Sequence, residues 1–584
     1  MITTRADEPS YAKLDDVEGA ERNRYGNLIR LTAVDDNGES LCINGDSGIG
    51  INPNRTKQHA FHFNADNCIG CHACEAACSE KNDLPPHLSF RSVGYVEGGS
   101  YPDYTRINFS MACNHCDDPV CLKGCPTRAY TKHAEYGAVI QDPDICFGCG
   151  YCTWVCPYNA PQLDTTAGHV EKCNMCVDRL EVGLKPACVS ACLGNALEFG
   201  VAESLPAGQQ QIETTIPGFP DPNITKPNIR FQQLANLPRE LTRTDTEPVK
   251  YFQGEPTVDR TGGEAENKHW NLRRLSSREN PLVVFTLAVQ AAVGMTLLGF
   301  LSSQTAPSLS SFYGSTPYIV MLVVALAMIG CGLLASTLHL GKSLRFYRGF
   351  NNLRHSWVAR EGLATVVFGA LVVGHGMCLA FDMLVIATAL GYLAVLGGLC
   401  TIYFMYRCYR IPARPFWDHW QTGAAFWGDA LLLGSWGAAA FASVMLSEIP
   451  DLFPQTAAFA IAVQALGLYG HARDMPDARE GGASHYVQTT TFGRTYQCRL
   501  ALLAGTFLGC IALIVSGLAH PLWLAGLTLS SLIAATIGRA LFYVLVIPTT
   551  MPGAFFWKNK SFENHAREIG LAANPQVGIA PVGH

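Results

Sequence analysis

The 584-residue sequence predicts a multidomain protein in which an α+β domain precedes an all-α bundle of eight transmembrane helices. Two observations predict this division. Of the 23 cysteines, 17 lie before Pro281 in a polar part of the chain, whereas long apolar segments dominate from Pro281 onward. The formal net charge of −6 is mild for a chain of this length, so the composition gives no indication of nucleic-acid binding.

Sixteen of the early cysteines form four groups of four. The groups are Cys68, Cys71, Cys74 and Cys78; Cys113, Cys116, Cys121 and Cys125; Cys146, Cys149, Cys152 and Cys156; and Cys173, Cys176, Cys188 and Cys192. Groups one and three follow the spacing C-x2-C-x2-C-x3-C, which lets one loop direct three thiolates at a cubane while the fourth cysteine reaches a neighbouring cluster. Groups two and four have a longer gap before the third cysteine, which we interpret as insertions in the same plan. The spacing therefore predicts iron–sulfur clusters.

Disulfides and zinc are the alternative uses of so many thiols. Disulfides need an oxidising compartment, and the first 26 residues show neither an apolar core nor a twin-arginine pair, so no secretory signal is expected. A lone C-x2-C pair would favour zinc, but structural zinc sites do not use a run of four cysteines with a proline behind it. Cys42, which belongs to no group, is expected to be an ordinary buried thiol.

Short strands before two of the groups predict a ferredoxin-like fold. The segments "AFHFNADNC" and "EYGAVIQDPDIC" each predict a strand and a turn that deliver a cysteine. Residues 60–200 resemble the four-cluster ferredoxin subunit of the dimethyl sulfoxide reductase family of molybdenum enzymes. The resemblance is carried by "CNHCDDPVCLKGCP", "CFGCGYCTWVCPYNAPQ" and "GHVEKCNMCVDRLEVGLKPACVSAC".

The resemblance also implies which cysteines share a cluster. Set one is Cys68, Cys71, Cys74 and Cys192; set two is Cys78, Cys173, Cys176 and Cys188; set three is Cys113, Cys116, Cys121 and Cys156; set four is Cys125, Cys146, Cys149 and Cys152. Some relatives replace a group-three cysteine with an aromatic residue and carry a three-iron cluster. This chain keeps all its cysteines, so four [4Fe–4S] clusters are implied. Leu193 stands where the family usually has proline, which should alter the turn but not the ligation.

Three further segments complete the expected domain organisation. Residues 1–59 are expected to be an N-terminal extension with a hairpin at Asp36-Asn37-Gly38, to which no function is assigned. Residues 201–280 contain eight prolines and no cysteine, so they are expected to form an extended linker. Residues 548–584 are expected to be a cytoplasmic tail that follows a membrane anchor at 281–547.

Eight apolar segments make up the predicted anchor, and most reach the ~20 residues that span a bilayer core. They lie at about 281–302, 318–338, 363–381, 383–406, 422–446, 454–470, 499–518 and 522–546. The loops 339–361, 407–421 and 471–499 hold twelve Lys and Arg residues, whereas the loops on the opposite side hold none. Positive loops stay in the cytoplasm. The sequence thus predicts a multi-pass protein of a bacterial inner membrane with its iron–sulfur domain on the cytoplasmic side.

The anchor resembles the eight-helix membrane subunit of the same family, through "STLHLGKSLRFYRGFNNLRHSWVARE" and "GRALFY". The resemblance implies a quinone site and no haem. It points to His339, Gly341, Arg345 and Glu361; their neighbour Lys342 and the deep ionisable residues Asp429 and Arg539 complete the candidate set. Asp429 and Arg539 could equally form a structural pair. Only His375 lies well inside a predicted helix, and one such histidine is more often a polar packing contact than a haem ligand.

No part of the chain resembles a pterin-binding catalytic domain, so the expected function is that of an accessory subunit. We expect it to anchor a cytoplasm-facing molybdopterin oxidoreductase and to pass electrons between the catalytic partner and membrane quinone. Sulfite dehydrogenase and dimethyl sulfoxide reductase types are both compatible, and the direction of electron flow stays open. The alternative is a membrane module of an ion-translocating respiratory complex, against which the one-sided placement of deep charges argues. A redox sensor would not need four clusters.

Overall fold

The computed structural model describes residues 9–14, 22, 54–98, 105–206, 209–210, 219–234, 272–446, 449–475, 479–517 and 521–545. The predicted hairpin at Asp36-Asn37-Gly38, Cys42, most of the predicted linker and the predicted tail lie outside these residues. The described residues fall into two compact units, the first within 9–234 and the second within 272–545.

The first unit is an α+β domain built from short elements. Its described strands are β1 (His59–Asn64), β2 (Ser92–Gly98), β3 (Thr105–Met111), β4 (Tyr130–Lys132), β5 (Val139–Gln141), β6 (Gln162–Asp164), β7 (His169–Glu171), β8 (Leu197–Val201) and β9 (Arg230–Gln232). Strand β1 pairs antiparallel with β8 and parallel with β9, while the other six form three antiparallel pairs. Every residue of β1 is buried, which makes this strand the centre of the domain.

Short helices follow or contain the cysteine groups. They are α1 (Ala73–Lys81), α2 (Val120–Gly124), α3 (Tyr151–Val155), α4 (Val177–Leu180) and α5 (Ala187–Ser190). The loops that precede them turn sharply through residues with positive φ; Gly148 and Gly150 have φ of 74° and 77° just before α3. Glycine adopts this conformation without a steric penalty, so the loop can wrap its cysteines around one point before the helix begins.

The second unit is a helical bundle. Its long helices are α6 (Asn280–Thr305), α7 (Thr316–Leu338), α8 (Trp357–Ala380), α9 (Leu384–Tyr409), α10 (Trp420–Ala442), α11 (Leu452–Asp474), α13 (Gly493–Ser516) and α14 (Pro521–Val544), with the shorter α12 (Arg479–Thr489) between α11 and α13. Each long helix has at least 23 residues, or about 35 Å at 1.5 Å per residue, which exceeds the hydrocarbon thickness.

Seven of the eight long helices in the described residues are also apolar enough to cross a membrane, and α10 is the exception. Helix α10 carries the buried Asp429 together with several glycines, and most of its residues are buried within the bundle. A helix that is covered by protein does not need an apolar face toward lipid, which accounts for its lower hydropathy. Seven of the eight predicted spans therefore correspond to candidate membrane helices. The eighth span, at α10, stays a prediction.

Helices α6 and α10 approach each other through two glycines. A Cβ atom on Gly294 would lie 1.9 Å from the carbonyl oxygen of Ala430, and one on Gly434 would lie 2.3 Å from the carbonyl carbon of Gly294. Only hydrogen fits between these backbones. Small residues at such a crossing let two membrane helices pack closely.

Candidate metal centres and membrane redox site

The four cysteines of set one line a single cleft of about 350 Å³ in the first unit. They are Cys68, Cys71, Cys74 and Cys192. Two polar groups contact their sulfur atoms: the Ser110 hydroxyl lies 3.2 Å from Cys74 Sγ, and the Leu197 amide donates to Cys192 Sγ at 3.3 Å. Cysteines that are more than a hundred residues apart in sequence thus converge on one site.

Set three lines a second cleft of similar volume. Its cysteines are Cys113, Cys116, Cys121 and Cys156. Lys172 also lines this cleft, and its Nζ donates to Cys113 Sγ at 3.5 Å. Burial, followed by the nearby thiols of the same set, raises the pKa of Cys121 well above its ordinary value.

Sets two and four are recognisable from which thiols lie beside each other. Burial raises the pKa of Cys78, and the next contributions come from three other members of set two, which are Cys188, Cys173 and Cys176. Burial likewise raises the pKa of Cys152, and three other members of set four, which are Cys149, Cys146 and Cys125, contribute further. Each of these thiols therefore has the rest of its set as ionisable neighbours.

The donor groups fit iron–sulfur ligation. Every described cysteine is a free thiol, and no three His, Cys, Asp or Glu side chains among the described residues converge closely enough to hold a single metal ion. Thiols spaced around a cleft match a cubane, which is wider than one ion. Backbone amides donate to Cys125 Sγ, Cys146 Sγ and Cys173 Sγ at 3.4 Å, which is the type of contact that stabilises a ligating thiolate.

In the second unit, Asp429 and Arg539 form a buried ion pair. Arg539 Nη2 lies 3.0 Å from Asp429 Oδ2 and also donates to Gln290 Oε1 at 3.0 Å. The guanidinium carbon lies 3.7 Å from the centroid of the Phe426 ring. The pair lines a small pocket to which Arg499, His471 and Gln488 also contribute. Sequence reasoning did not select these last three residues, because they belong to helices with no shared motif.

His339 has a partner that the sequence did not indicate. Its Nε2 lies 3.2 Å from Glu279 Oε2, and the carboxylate side chain is largely buried just before α6. Burial raises the pKa of Glu279 to about 7. The pair joins the end of α7 to the start of α6, 60 residues earlier in the chain. A carboxyl group and an imidazole in contact can exchange a proton.

Glu361 belongs to a neighbouring polar contact. Cys408 Sγ donates to Glu361 Oε2 at 3.2 Å, and the adjacent Tyr409 hydroxyl lies 2.5 Å from the Tyr543 hydroxyl. Tyr543 interacts electrostatically with Glu361, Glu279 and Arg539. Glu361, Arg539 and Glu279, the partner of His339, are therefore charged neighbours of Tyr543.

The remaining predicted quinone residues lie on the segment that follows α7. Gly341 is exposed, and Lys342 and Arg345 are half-buried, the latter on a 3₁₀ helix at Ser343–Phe350. His375 lies apart, and both its ring nitrogens are engaged: Nε2 with the Tyr318 hydroxyl at 2.9 Å and Nδ1 with the Ala387 carbonyl at 2.7 Å. These contacts agree with a polar packing role for His375.

Comparison with known proteins covers both units. The family profile described as a 4Fe-4S dicluster domain matches residues 105–202, and the profile of the DMSO reductase anchor subunit (DmsC) matches residues 276–545. The B component of the anaerobic dimethyl sulfoxide reductase of Escherichia coli K12 is 40% identical over 189 residues, which are 31% of this chain and 91% of that one.

Two other relatives come from different complexes. The B component of the sulfite dehydrogenase of Allochromatium vinosum is 33% identical over 236 residues, which are 35% of this chain and 98% of that one. The iron-sulfur subunit of the nitrate-inducible formate dehydrogenase of Escherichia coli K12 is 37% identical over 163 residues, which are 25% of this chain and 55% of that one.

The clefts and the matching profiles define an iron–sulfur electron-transfer subunit with a membrane anchor, in a molybdoenzyme complex. The protein belongs to the dimethyl sulfoxide reductase family, in which it joins the iron–sulfur subunit and the anchor subunit in one polypeptide. The resemblance inferred from the motifs is confirmed, and the alternative of an ion-translocating module is not favoured.

Proposed function

We propose that this chain carries electrons between a molybdopterin-containing catalytic subunit and membrane quinone by way of four [4Fe–4S] clusters, without haem. The observation that carries the proposal is the grouping of sixteen cysteines into four sets, two of which each line a cleft. The anchor that follows the iron–sulfur domain supplies contact with the lipid-soluble acceptor. The catalytic partner is of the sulfite dehydrogenase or dimethyl sulfoxide reductase type.

The first unit would hold its clusters with the cysteine sets named above. Clusters bound there supply one-electron transfer. The protein's contribution is the burial of twelve of the sixteen cysteines, which limits the access of water, and amide donors such as Leu197 and Met175. Hydrogen bonds to ligating sulfur stabilise the more negative, reduced form and thus help to set the reduction potential.

The quinone site is proposed in the second unit, around His339, Glu279 and Glu361. Quinone reduction takes two electrons and two protons, so the site needs groups that release and regain protons. His339 is proposed to hydrogen-bond a quinone oxygen and to exchange its proton with Glu279, while Gly341, Lys342 and Arg345 shape the entrance. Asp429 and Arg539 are proposed to bind the ring or to hold the helices that surround it. Their ion pair supports either role.

The orientation and the substrate type are proposed from charge. Twelve Lys and Arg residues lie in the loops of one side and none in those of the other, which supports a cytoplasmic iron–sulfur domain in a bacterial inner membrane. This orientation favours a cytoplasmic catalytic partner, for which a sulfite dehydrogenase is the preferred candidate. With a sulfite dehydrogenase as partner, electrons would flow from the partner into quinone.

Anaerobic iron and sulfide analysis of the purified complex tests the cluster proposal. After subtraction of the iron on the catalytic partner, this chain should contain about sixteen iron and sixteen sulfide, by the cubane count. Its spectrum should show no b-haem Soret band, in keeping with the hydrogen bonds that occupy both nitrogens of His375. Half that iron, or a Soret band that copurifies with this chain, would contradict the proposal.

A further inference from the structure

A buried arginine lies at the junction between cysteine sets one and two. The Arg91 side chain is 1% exposed, and it interacts electrostatically with Cys74 of set one. It also interacts with three cysteines of set two, which are Cys78, Cys173 and Cys188. Arg91 Nη1 donates to the carbonyl and hydroxyl oxygens of Ser110 at 3.2 and 3.0 Å, so the guanidinium is held in place.

The rest of this guanidinium faces groups that do not neutralise it. The Nε and Nη2 atoms of Arg91 have no hydrogen-bond partner in the part of the chain that the structure describes. The Cζ atom lies 4.4 Å from the centroid of the Phe61 ring. An unpaired buried charge is costly unless a counter-charge lies close by. The neighbours that contribute most to the electrostatics of Arg91 are cysteines of sets one and two, which become thiolates when they ligate a cluster.

Lys172 occupies the corresponding position between sets two and three. Its side chain is buried, and Nζ donates to Cys113 Sγ of set three at 3.5 Å and to the carbonyl of Cys173, of set two, at 2.8 Å. It also donates to the Val139 carbonyl. The junction between sets three and four differs, because the buried side chain that interacts with Cys121 and Cys152 there is the neutral Tyr130.

Both cations keep their charge in this surrounding. Arginine stays protonated in proteins, and Lys172 Nζ directs its hydrogen bonds at three acceptors, which are Cys113 Sγ and the carbonyls of Val139 and Cys173. The two side chains are therefore fixed positive charges. A fixed charge in a low-dielectric interior interacts strongly with any change of charge nearby.

We propose that Arg91 and Lys172 raise the reduction potentials of the clusters held by sets one, two and three. Among the described residues, the cluster held by set four has no such cation beside it, so its potential is not raised in this way. The inference rests on the proposed ligand sets. Reduction adds one electron to an already anionic centre, and a nearby fixed cation stabilises the added charge. No bond breaks and no proton moves in this step, because both side chains carry their charge before and after it.

Redox titration of the purified complex, followed by EPR spectroscopy of the clusters, tests this proposal. Arg91→Met should lower the midpoint potentials of two of the four clusters. The expected shift is about 59 mV, which for a one-electron couple is a tenfold change in the equilibrium constant of reduction. Arg91→Lys, which retains the charge, should keep both midpoints near their wild-type values. Lys172→Met should lower the midpoint potentials of the clusters held by sets two and three, so the set-two cluster shifts in both variants. The midpoint potential of the set-four cluster should shift in neither variant.

Arg230→Met is the matched control. Arg230 is also 1% exposed in the same domain, but its charge is paired with the Glu203 carboxylate. Its loss should leave all four midpoints unchanged. Each variant is first assayed for iron, so that a shift is read only from preparations with the wild-type content. If Arg91→Met does not retain its iron, the proposal is tested by comparing the midpoint potentials of Lys172→Met and Lys172→Arg.

Two results would overturn the proposal. One is an Arg91→Met or Lys172→Met preparation with full iron content and four unchanged midpoints. The other is an Arg91→Lys shift as large as that of Arg91→Met, which would assign the effect to packing rather than charge. Either result leaves the proposed electron-transfer function intact. That function would fail instead if the wild-type chain itself titrated with fewer than four clusters.

Discussion

The Asp429–Arg539 pair shows how this chain places charge inside an apolar bundle. Both side chains are almost completely buried, and Arg539 contacts a carboxylate, an amide and an aromatic ring. A buried ion pair is tolerated because each partner compensates the other, whereas removal of one partner leaves a buried charge that must be neutralised. The pair is therefore expected to stabilise the bundle whether or not quinone binds beside it.

Removal of one partner should destabilise the bundle more than removal of both. Asp429→Asn leaves Arg539, and the nearby buried Arg499, without this carboxylate, and breaking such a pair costs about 3–5 kcal/mol. The double variant Arg539→Met with Asp429→Asn removes both charges and should recover part of the loss. Thermal unfolding of the detergent-solubilised complex, followed by light scattering, measures the difference.

An exposed ion pair of the same bundle provides the control. Arg473 Nε lies 2.7 Å from Asp474 Oδ1 at the end of α11, and the arginine is mostly solvent-exposed. Arg473→Met should leave the unfolding temperature unchanged, because exposed pairs are screened by water and salt. Equal unfolding temperatures for Asp429→Asn and wild type would contradict a stabilising role for the buried pair.

The sequence could indicate His339 but not its partner. The motif around His339 resembles a known loop, whereas Glu279 lies in a segment interpreted only as the end of a linker. Their contact depends on how α6 packs against α7, and helix packing cannot be read from periodicity. Arg91 and Lys172 were missed for the same reason, since their burial depends on strands and loops that are distant in sequence.

The crossing of α6 and α10 leaves no room for a side chain larger than hydrogen at Gly294 and Gly434. Gly294→Ala adds a methyl group where only hydrogen fits, so the two helices must separate. Overpacking of this kind typically costs about 1–3 kcal/mol. We expect Gly294→Ala to lower the unfolding temperature of the complex and to reduce the amount of assembled protein in the membrane.

Gly505→Ala is the control for this substitution. Gly505 lies within α13, and a Cβ atom there would meet nothing within 4 Å. The same chemical change should therefore be neutral or slightly stabilising, because alanine favours the helix over glycine by about 1 kcal/mol. A Gly294→Ala protein as stable as the Gly505→Ala protein would show that the helices do not cross as described.

The elements were predicted unevenly. The cysteine loops were predictable because ligand geometry imposes a spacing on the sequence. The long helices were predictable because lipid selects apolar residues over a fixed length. Helix α10 follows the second rule least well: its neighbours α6 and α11 cover it, so packing rather than lipid determines its composition.

The uneven distribution of Lys and Arg between the loops of the two sides predicts the membrane topology of the protein. A reporter that is active only outside the cytoplasm should be active when fused within 303–316 and inactive when fused within 407–421. The physical reason is that segments rich in Lys and Arg resist translocation. The opposite pattern of reporter activity would place the iron–sulfur domain outside and would remove the preference for a cytoplasmic partner.

Fusion of the iron–sulfur and anchor parts also has a consequence for the whole molecule. A covalent link fixes their ratio at one to one and replaces a binding equilibrium with an intramolecular encounter. The organisation was predictable from the order of the motifs alone. The hairpin at Asp36-Asn37-Gly38 and the extended linker at 201–280 stay predictions, because the hairpin and most of the linker lie outside the described residues.

Electrons held by the clusters are proposed to leave through quinone at His339. The most direct measurement is the rate at which quinone reoxidises the chemically reduced clusters of the purified complex in lipid. His339→Ala should slow this rate by about 100-fold, the usual contribution of a proton-exchanging group, while reoxidation by a soluble dye is unchanged. His355→Ala, at an exposed position of the same loop, should behave as wild type. Reduced wild-type clusters that stay reduced in the presence of quinone, or a His339→Ala protein that reoxidises at the wild-type rate, would contradict electron transfer to quinone at His339.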